Sequence, residues 1–176
     1  PSGFCASVFA DSVENVRHLA VASNGDVFAQ VQARTGDGII VMRDTDGDGR
    51  ADRFARFGAP GGTGIALWKG WLYADERSRI VRYPLAAGSL EPSGAAAVIV
   101  DSLPMGGHPA RNFAIDGNGA LFVNVGSQTN VCDQRGQAKT TPGLDPCPEL
   151  ETRAGIWRFD ANKAGQRFSP ATRYAT

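Results

Sequence analysis

One plan recurs three times along this chain of 176 residues, and it restricts the possible fold more than any other feature. Leu19-Ala20-Val21-Ala22 runs through Ser23-Asn24-Gly25-Asp26 into Val27-Phe28-Ala29-Gln30-Val31. Gly64-Ile65-Ala66-Leu67 runs through a Lys69-Gly70 turn into Trp71-Leu72-Tyr73-Ala74. Phe113-Ala114-Ile115 runs through Asp116-Gly117-Asn118-Gly119 into Leu121-Phe122-Val123-Asn124-Val125. Each unit is a strand of mostly small apolar residues, a Gly turn and a strand bearing an aromatic, which is the pattern of a β-hairpin. The aromatics Phe28, Tyr73 and Phe122 stand 45 and 49 residues apart. Internal repeats of that length, with several strands each, mark propeller blades.

Further strand-like segments complete each repeat. Ile39-Ile40-Val41-Met42-Arg43 and Arg53-Phe54-Ala55-Arg56-Phe57 extend the first, Arg79–Tyr83 and Ala97–Val100 the second, and Gly155–Phe159 the third. The sequence therefore predicts an all-β fold, a partial β-propeller domain over residues 1–176 with blade repeats near 15–60, 61–103 and 108–160. A β-sandwich is the competing all-β architecture. Recurrence of one internal plan in a fixed order favours blades. Residues 11–19 would allow a turn or two of helix.

Composition agrees with many short elements: 22 Gly and 10 Pro leave little room for long helices. The 18 basic and 18 acidic side chains balance, so no long-range attraction to nucleic acid or an anionic membrane surface is expected. No run approaches the ~20 apolar residues of a membrane-spanning helix. Membrane insertion and nucleic-acid binding are thus outside the expected functions. The chain begins at Pro1 without Met, as a processed product or an excised piece would.

Cys132 and Cys147 flank a polar loop rich in Gly, Pro and Asp. A disulfide there would remove about 3 kcal/mol of loop entropy from the unfolded chain and would suit a periplasmic or secreted protein. The alternative is two unrelated thiols. Their spacing is not that of a zinc site. Cys5 is left without an evident partner.

Three stretches carry chemistry. Asp44-Thr45-Asp46-Gly47-Asp48-Gly49-Arg50-Ala51-Asp52 places carboxylates at positions 1, 3, 5 and 9 of a calcium loop. Gly49 falls at the sharp turn and the Arg50 backbone carbonyl at position 7. Ala55 stands where a helical EF-hand has its bidentate Glu, and the flanks are strand-like, so a calcium-pinned hairpin loop is expected, with a structural role. A solvated acidic turn is the plainer reading. His108, in the loop Leu103–Asn112 before an inner strand, is a candidate general base, because imidazole titrates near neutrality unaided. An exposed loop His without a role is the reading that spacing alone favours, and His18 reads as structural. Gly126-Ser127-Gln128-Thr129-Asn130 gathers small polar groups where a strand leaves its sheet. Such groups orient ligands, but they also cap turns. Gly61-Gly62-Thr63-Gly64 precedes a strand and lacks a Lys-Ser/Thr ending, which excludes a phosphate loop. No serine has a nucleophile-elbow context, and Trp68, Trp71 and Trp157 are expected in the core.

Taken in order, several segments resemble the bacterial glucose/sorbosone dehydrogenase family, and in particular its sorbosone-dehydrogenase-like branch. They are Gly3–Ala10, Arg17–Val21, Arg43–Gly49, Gly62–Leu67 and Pro142–Phe159. The resemblance spans essentially the whole chain. It implies a six-bladed propeller, of which this chain would supply about three blades and the start of a fourth. It implies pyrroloquinoline quinone and calcium as cofactors and oxidation of an aldose, sorbosone or a similar polyol-derived substrate. It also implies an electron acceptor such as a cytochrome or a quinone, and makes His108 the base for hydride transfer to the quinone. Gln128 and Thr63 fall where cofactor contacts are expected. Two positions depart from the family pattern. Ser127 stands where soluble glucose-oxidising members carry an acidic residue, and Gly62 where they carry an amide. Arg and Asn cofactor residues would follow Tyr174-Ala175-Thr176, so the chain reads as the N-terminal half of such an enzyme, inactive by itself. A non-catalytic propeller binding module and a lactonase-type propeller hydrolase are the alternatives.

Overall fold

A computed structural model describes residues 2–13, 15–32, 35–133 and 142–176 of the chain. Three sheets follow one another. The first holds β1 (Val16–Val21), β2 (Val27–Val31), β3 (Ile39–Arg43) and β4 (Arg53–Phe57), each paired antiparallel with the next. The second begins with β5 (Ile65–Trp68), β6 (Trp71–Glu76), β7 (Arg79–Pro84) and β8 (Ala97–Asp101), in the same up-and-down order. The third holds β9 (Phe113–Ile115), β10 (Ala120–Val125) and β11 (Gly155–Asp160). Residues past β11 extend these same sheets. β12 (Gln166–Arg167) adds parallel to β8, and β13 (Arg173–Ala175) pairs with β11.

The three first strands lie side by side, β1 against β5 and β5 against β9, so the sheets radiate from a shared inner edge as propeller blades do. The expected helical turns at 11–19 do not form, because Val16–Val21 pairs along β2 instead. Alternation of side chains across each sheet builds the core between neighbours. Phe28, Ile39 and Val41 of the first sheet meet Leu72, Ala74 and Val81 of the second. Tyr73, Ile80 and Ile99 on the other face of the second sheet meet Leu121, Val123 and Trp157 of the third. Phe9, Ala10 and Val13 cover the outer face of the first sheet, over Ala29, Val31, Ile40 and Met42.

The repeat aromatics share one role. Phe28 faces the second sheet and Tyr73 faces the third. Phe122 has no further sheet against it among the described residues, and its ring packs edge-on against Tyr174 at 4.8 Å. Trp157 is fully buried, as expected, whereas Trp68 and Trp71 are only partly covered, each under a cation: Lys69 lies 4.6 Å from the Trp68 ring and Arg82 4.2 Å from the Trp71 ring.

Candidate functional site

Two loops at the inner end of the third sheet nest against each other. One, Pro104–Asn112, leads into β9. The other, Gly126–Asp133, leaves β10. Their backbones touch: the His108 N–H donates to the Ser127 carbonyl at 2.9 Å. Two glycines make this approach possible. A Cβ on Gly107 would lie 2.5 Å from the Ser127 oxygen, and its φ of +61° is a left-handed value. A Cβ on Gly126 would lie 2.3 Å from the His108 carbonyl oxygen. A side chain at either position would drive the loops apart.

The nested loops line an open cavity of about 300 Å³ with Gly107, His108, Gln128, Thr129, Asn130 and Asp133. His108 Nε2 lies 2.7 Å from Asn130 Oδ1. With that oxygen as acceptor, Nε2 carries the proton and Nδ1 is the free acceptor of the neutral ring. Asn130 is thus the side-chain partner of the ring, and Ser127 contributes only its backbone carbonyl.

A second tier holds the loops. Cys132 and Cys147 form a disulfide, with Cα atoms 5.9 Å apart, and it leads directly into a short 3-10 turn, Pro148–Glu151. From that turn Glu149 accepts the backbone N–H groups of Gln128 at 2.8 Å and Thr129 at 3.2 Å, and the Thr129 hydroxyl at 2.5 Å. Desolvation pushes the Glu149 carboxyl up. The Thr129 and Gln128 hydrogen bonds, with Arg153 nearby, more than offset this and hold it below the ordinary value. Arg153 in turn donates to the carbonyls of Met105 and Gly106. Glu149 and Arg153 were not singled out in the sequence, and Asn130 only as one of the polar groups of the Gly126–Asn130 stretch. Only the short distance from Cys147 to Glu149 hinted at the first.

Thr63 lies elsewhere. It does not line the His108 cavity, and its backbone N–H donates to Asp75 Oδ2 at 3.1 Å. Gly62 beside it has no room for a side chain: a Cβ would meet the Asp75 carbonyl oxygen at 1.7 Å and Gln30 Nε2 at 2.4 Å. The amide that the family resemblance expects at this position could not fit without moving β6.

The acidic loop joins the outer strands β3 and β4, at the end of the first sheet where β1 finishes. His108 instead precedes the start of β9. Asp44, Asp46 and Asp48 each bring a carboxylate oxygen within 4.8 Å of the others, a grouping of the size a calcium ion needs. Asp44 accepts the N–H groups of Gly49 at 2.9 Å and Gly47 at 2.7 Å, which lower its pKa. Asp52 turns to Thr45, accepting its N–H at 3.0 Å and its hydroxyl. It closes the loop and is not part of the Asp44–Asp48 grouping. Arg50 makes a weak 3.4 Å contact with Asp11.

The chemistry of the donors around His108 is one imidazole, two amides, one hydroxyl and one carboxylate. That set suits a ligand rich in hydroxyls. It fits a tricarboxylate quinone only in part, because Arg111 and Arg153, the cations of these loops, are spent on backbone carbonyls. No helix among the described residues is long and apolar enough to cross a membrane.

No family model matches the chain, and no curated protein matches it. Solved structures do. The PQQ domain of pyranose dehydrogenase from Coprinopsis cinerea, in its holo form, superposes with a TM-score of 0.71 at 15% identity, covering 95% of this chain and 39% of that one. A calcium structure of a Trichoderma reesei carbohydrate-active enzyme of family AA12 gives 0.70 at 14% identity, covering 95% and 41%. A Thermus thermophilus protein described as a putative oxidoreductase (glucose dehydrogenase) gives 0.52 at 20% identity, covering 85% and 45%. The chain therefore spans about two fifths of the length of the structures it resembles most fully. At these identities the likeness establishes the fold alone: the chain folds as part of a β-propeller.

Proposed function

We propose that this chain is the base-bearing part of a quinone-dependent sugar oxidoreductase, in which His108 takes the proton of the reacting hydroxyl. One observation carries the reading. His108 is held by its backbone to Ser127 and by its ring to Asn130, at the wall of an open polar cavity. A surface His without a role would not need both restraints. The neutral ring with its proton on Nε2 has Nδ1 as its basic nitrogen, and Gln128 and Thr129 offer hydrogen bonds to neighbouring hydroxyls. Pyrroloquinoline quinone, when bound, is the hydride acceptor in this reading. In this reading Gln128, which lines the same cavity as His108, touches it. The likeness to PQQ-domain and dehydrogenase structures supports the same class. The sequence resemblance extends the substrate class to sorbosone and aldoses, and the acceptor to a cytochrome or quinone.

Asp44, Asp46, Asp48 and the Arg50 carbonyl are proposed to hold a structural calcium, with Asp52 closing the loop. The disulfide suits an oxidising compartment, periplasmic or extracellular.

The test uses the full-length protein with pyrroloquinoline quinone, calcium and an artificial electron acceptor, with sorbosone, glucose and galactose compared side by side. His108→Ala is expected to lower kcat by about 10²–10⁴-fold, the usual contribution of a general base, while quinone uptake followed by absorbance is unchanged. Normal turnover in that variant removes His108 as the base. A protein that takes up no quinone at micromolar concentration removes the class.

A further inference from the structure

A buried polar cluster sits between the three sheets, beside the His108 loop and the Gly-rich segment that holds Thr63. Gln30 at the end of β2, Asp75 near the end of β6 and Arg111 just before β9 are 0%, 1% and 2% exposed. Groups of this kind are rarely buried without partners. Yet Gln30 Oε1, Asp75 Oδ1 and Arg111 Nε have none among the described residues. The partners that do exist are informative. Arg111 gives its two terminal nitrogens to carbonyls of the His108 loop, those of Pro104 and, at 3.4 Å, Pro109, and to that of Arg77 in the β6–β7 turn. It thus grips the loop on both sides of His108 and fastens it to the second sheet. Asp75 accepts the Thr63 N–H, and Gln30 donates to the Asp75 carbonyl at 3.4 Å.

We propose that Arg111 is the positioning residue of the His108 loop. The guanidinium is suited to this because it holds several carbonyls in a fixed fork, which an ammonium cannot do. A buried guanidinium is costly unless its N–H groups are held, and Arg111 gives both terminal nitrogens to carbonyls. The mutual influence of Asp75 and Arg111 is seen in both groups. Burial pushes Asp75 up to about 7 while Arg111 pulls it back, and burial pushes Arg111 down while Asp75 supports it. Glu76 adds a like charge beside Asp75, and Arg153 adds one beside Arg111. Arg153 grips the carbonyls of Met105 and Gly106 from the other side, so two guanidinium groups hold four carbonyls of one loop.

The inference depends on the reading above only in calling His108 a base; the clamp itself is read without activity. The chain is labelled with ¹⁵N, and the two ring spectra are assigned with His18→Gln. At pH 8, where Asp75 is ionised, wild type should show a His108 Nε2 signal typical of a hydrogen-bonded N–H and a His108 amide that exchanges slowly. Arg111→Gln should speed exchange of that amide at least tenfold and average the Nε2 signal, while amides of the β2–β3 and β10–β11 pairs keep their protection. Arg111→Lys should restore only part of the protection. A purely structural Arg111 would change all amides together and leave the ring signal of the folded fraction as in wild type. That outcome overturns the proposal, as does an unchanged His108 amide in Arg111→Gln. If Arg111→Gln fails to fold, Arg111→Lys carries the same decision. Quinone uptake does not enter this measurement, so loss of the oxidoreductase reading would leave its result standing.

Discussion

Asp75 shows how burial reverses the usual behaviour of a carboxylate. Its side chain is almost wholly enclosed, and burial raises its pKa from 3.8 to about 7 despite Arg111 and the Thr63 N–H. A carboxyl whose folded pKa exceeds its unfolded value binds protons more tightly when folded. Its contribution to stability is complete below about pH 4, is lost as pH rises towards 7, and is flat above. A shift of this size corresponds to at most about 4 kcal/mol. Urea denaturation from pH 4 to 8 is expected to show wild type losing stability relative to Asp75→Asn across that window. The sign distinguishes Asp75 from Glu149, whose lowered pKa works the other way: that group supports the fold above its unfolded value and loses its contribution as pH falls. Neither property was legible in the sequence. Asp75 lies near the end of an aromatic strand, and only its enclosure between sheets makes it special. His108 and Gln128 became candidates through the family resemblance, because spacing alone also suits an exposed loop His and a polar stretch that caps a turn. Thr63 was legible only as part of a Gly-rich segment, and its neighbour is Asp75 and not the cavity.

At the scale of elements, the hairpin loop between β3 and β4 was the clearest motif, and its backbone groups Asp44, Asp46 and Asp48. The sequence could not separate the roles of Asp48 and Asp52, since both fit a calcium-loop spacing. The backbone separates them by turning Asp52 onto Thr45. Three carboxylates this close repel one another without a cation. Calcium at 100-fold above its Kd should stabilise the chain by about 2.7 kcal/mol. Thermal unfolding is expected to show Tm rising with calcium, falling with a chelator, and losing this response in Asp46→Asn. A calcium-independent Tm in wild type would leave the plainer reading of a solvated acidic turn. The disulfide was legible too, from loop composition. Its consequence was not: it carries Glu149 to the backbone of Gln128 and Thr129.

At the scale of the whole molecule, successive sheets are joined by side chains that reach across their shared core. Tyr73 is fully buried and gives its hydroxyl to the Ala161 carbonyl of the third sheet at 3.0 Å, and Arg82 reaches the same carbonyl at 3.1 Å. Tyr73→Phe keeps the ring and removes one buried hydrogen bond, so it should cost about 1 kcal/mol by equilibrium denaturation. A larger loss would mean that the hydroxyl also sets the angle between the sheets. The repeat of strand, Gly turn and aromatic strand was written in the sequence because it is local. Alternation and turn chemistry are decided within a few residues, and a spacing of 45 to 49 residues survives as simple arithmetic. Which face of each sheet meets the next, and hence that Phe28 and Tyr73 fill successive cores, follows from the radial packing of β1, β5 and β9. The same packing brings Asn130 to His108, Glu149 to Thr129 and Arg111 to Asp75. Those pairings rest on close approach between backbones at Gly62, Gly107 and Gly126, where a single added carbon would collide. The sequence by itself determined the strands, their turns, the disulfide and the two loops that carry the candidate chemistry. Only the tertiary structure decided what holds those loops in place, because contacts between distant segments depend on distances that a one-dimensional pattern does not contain.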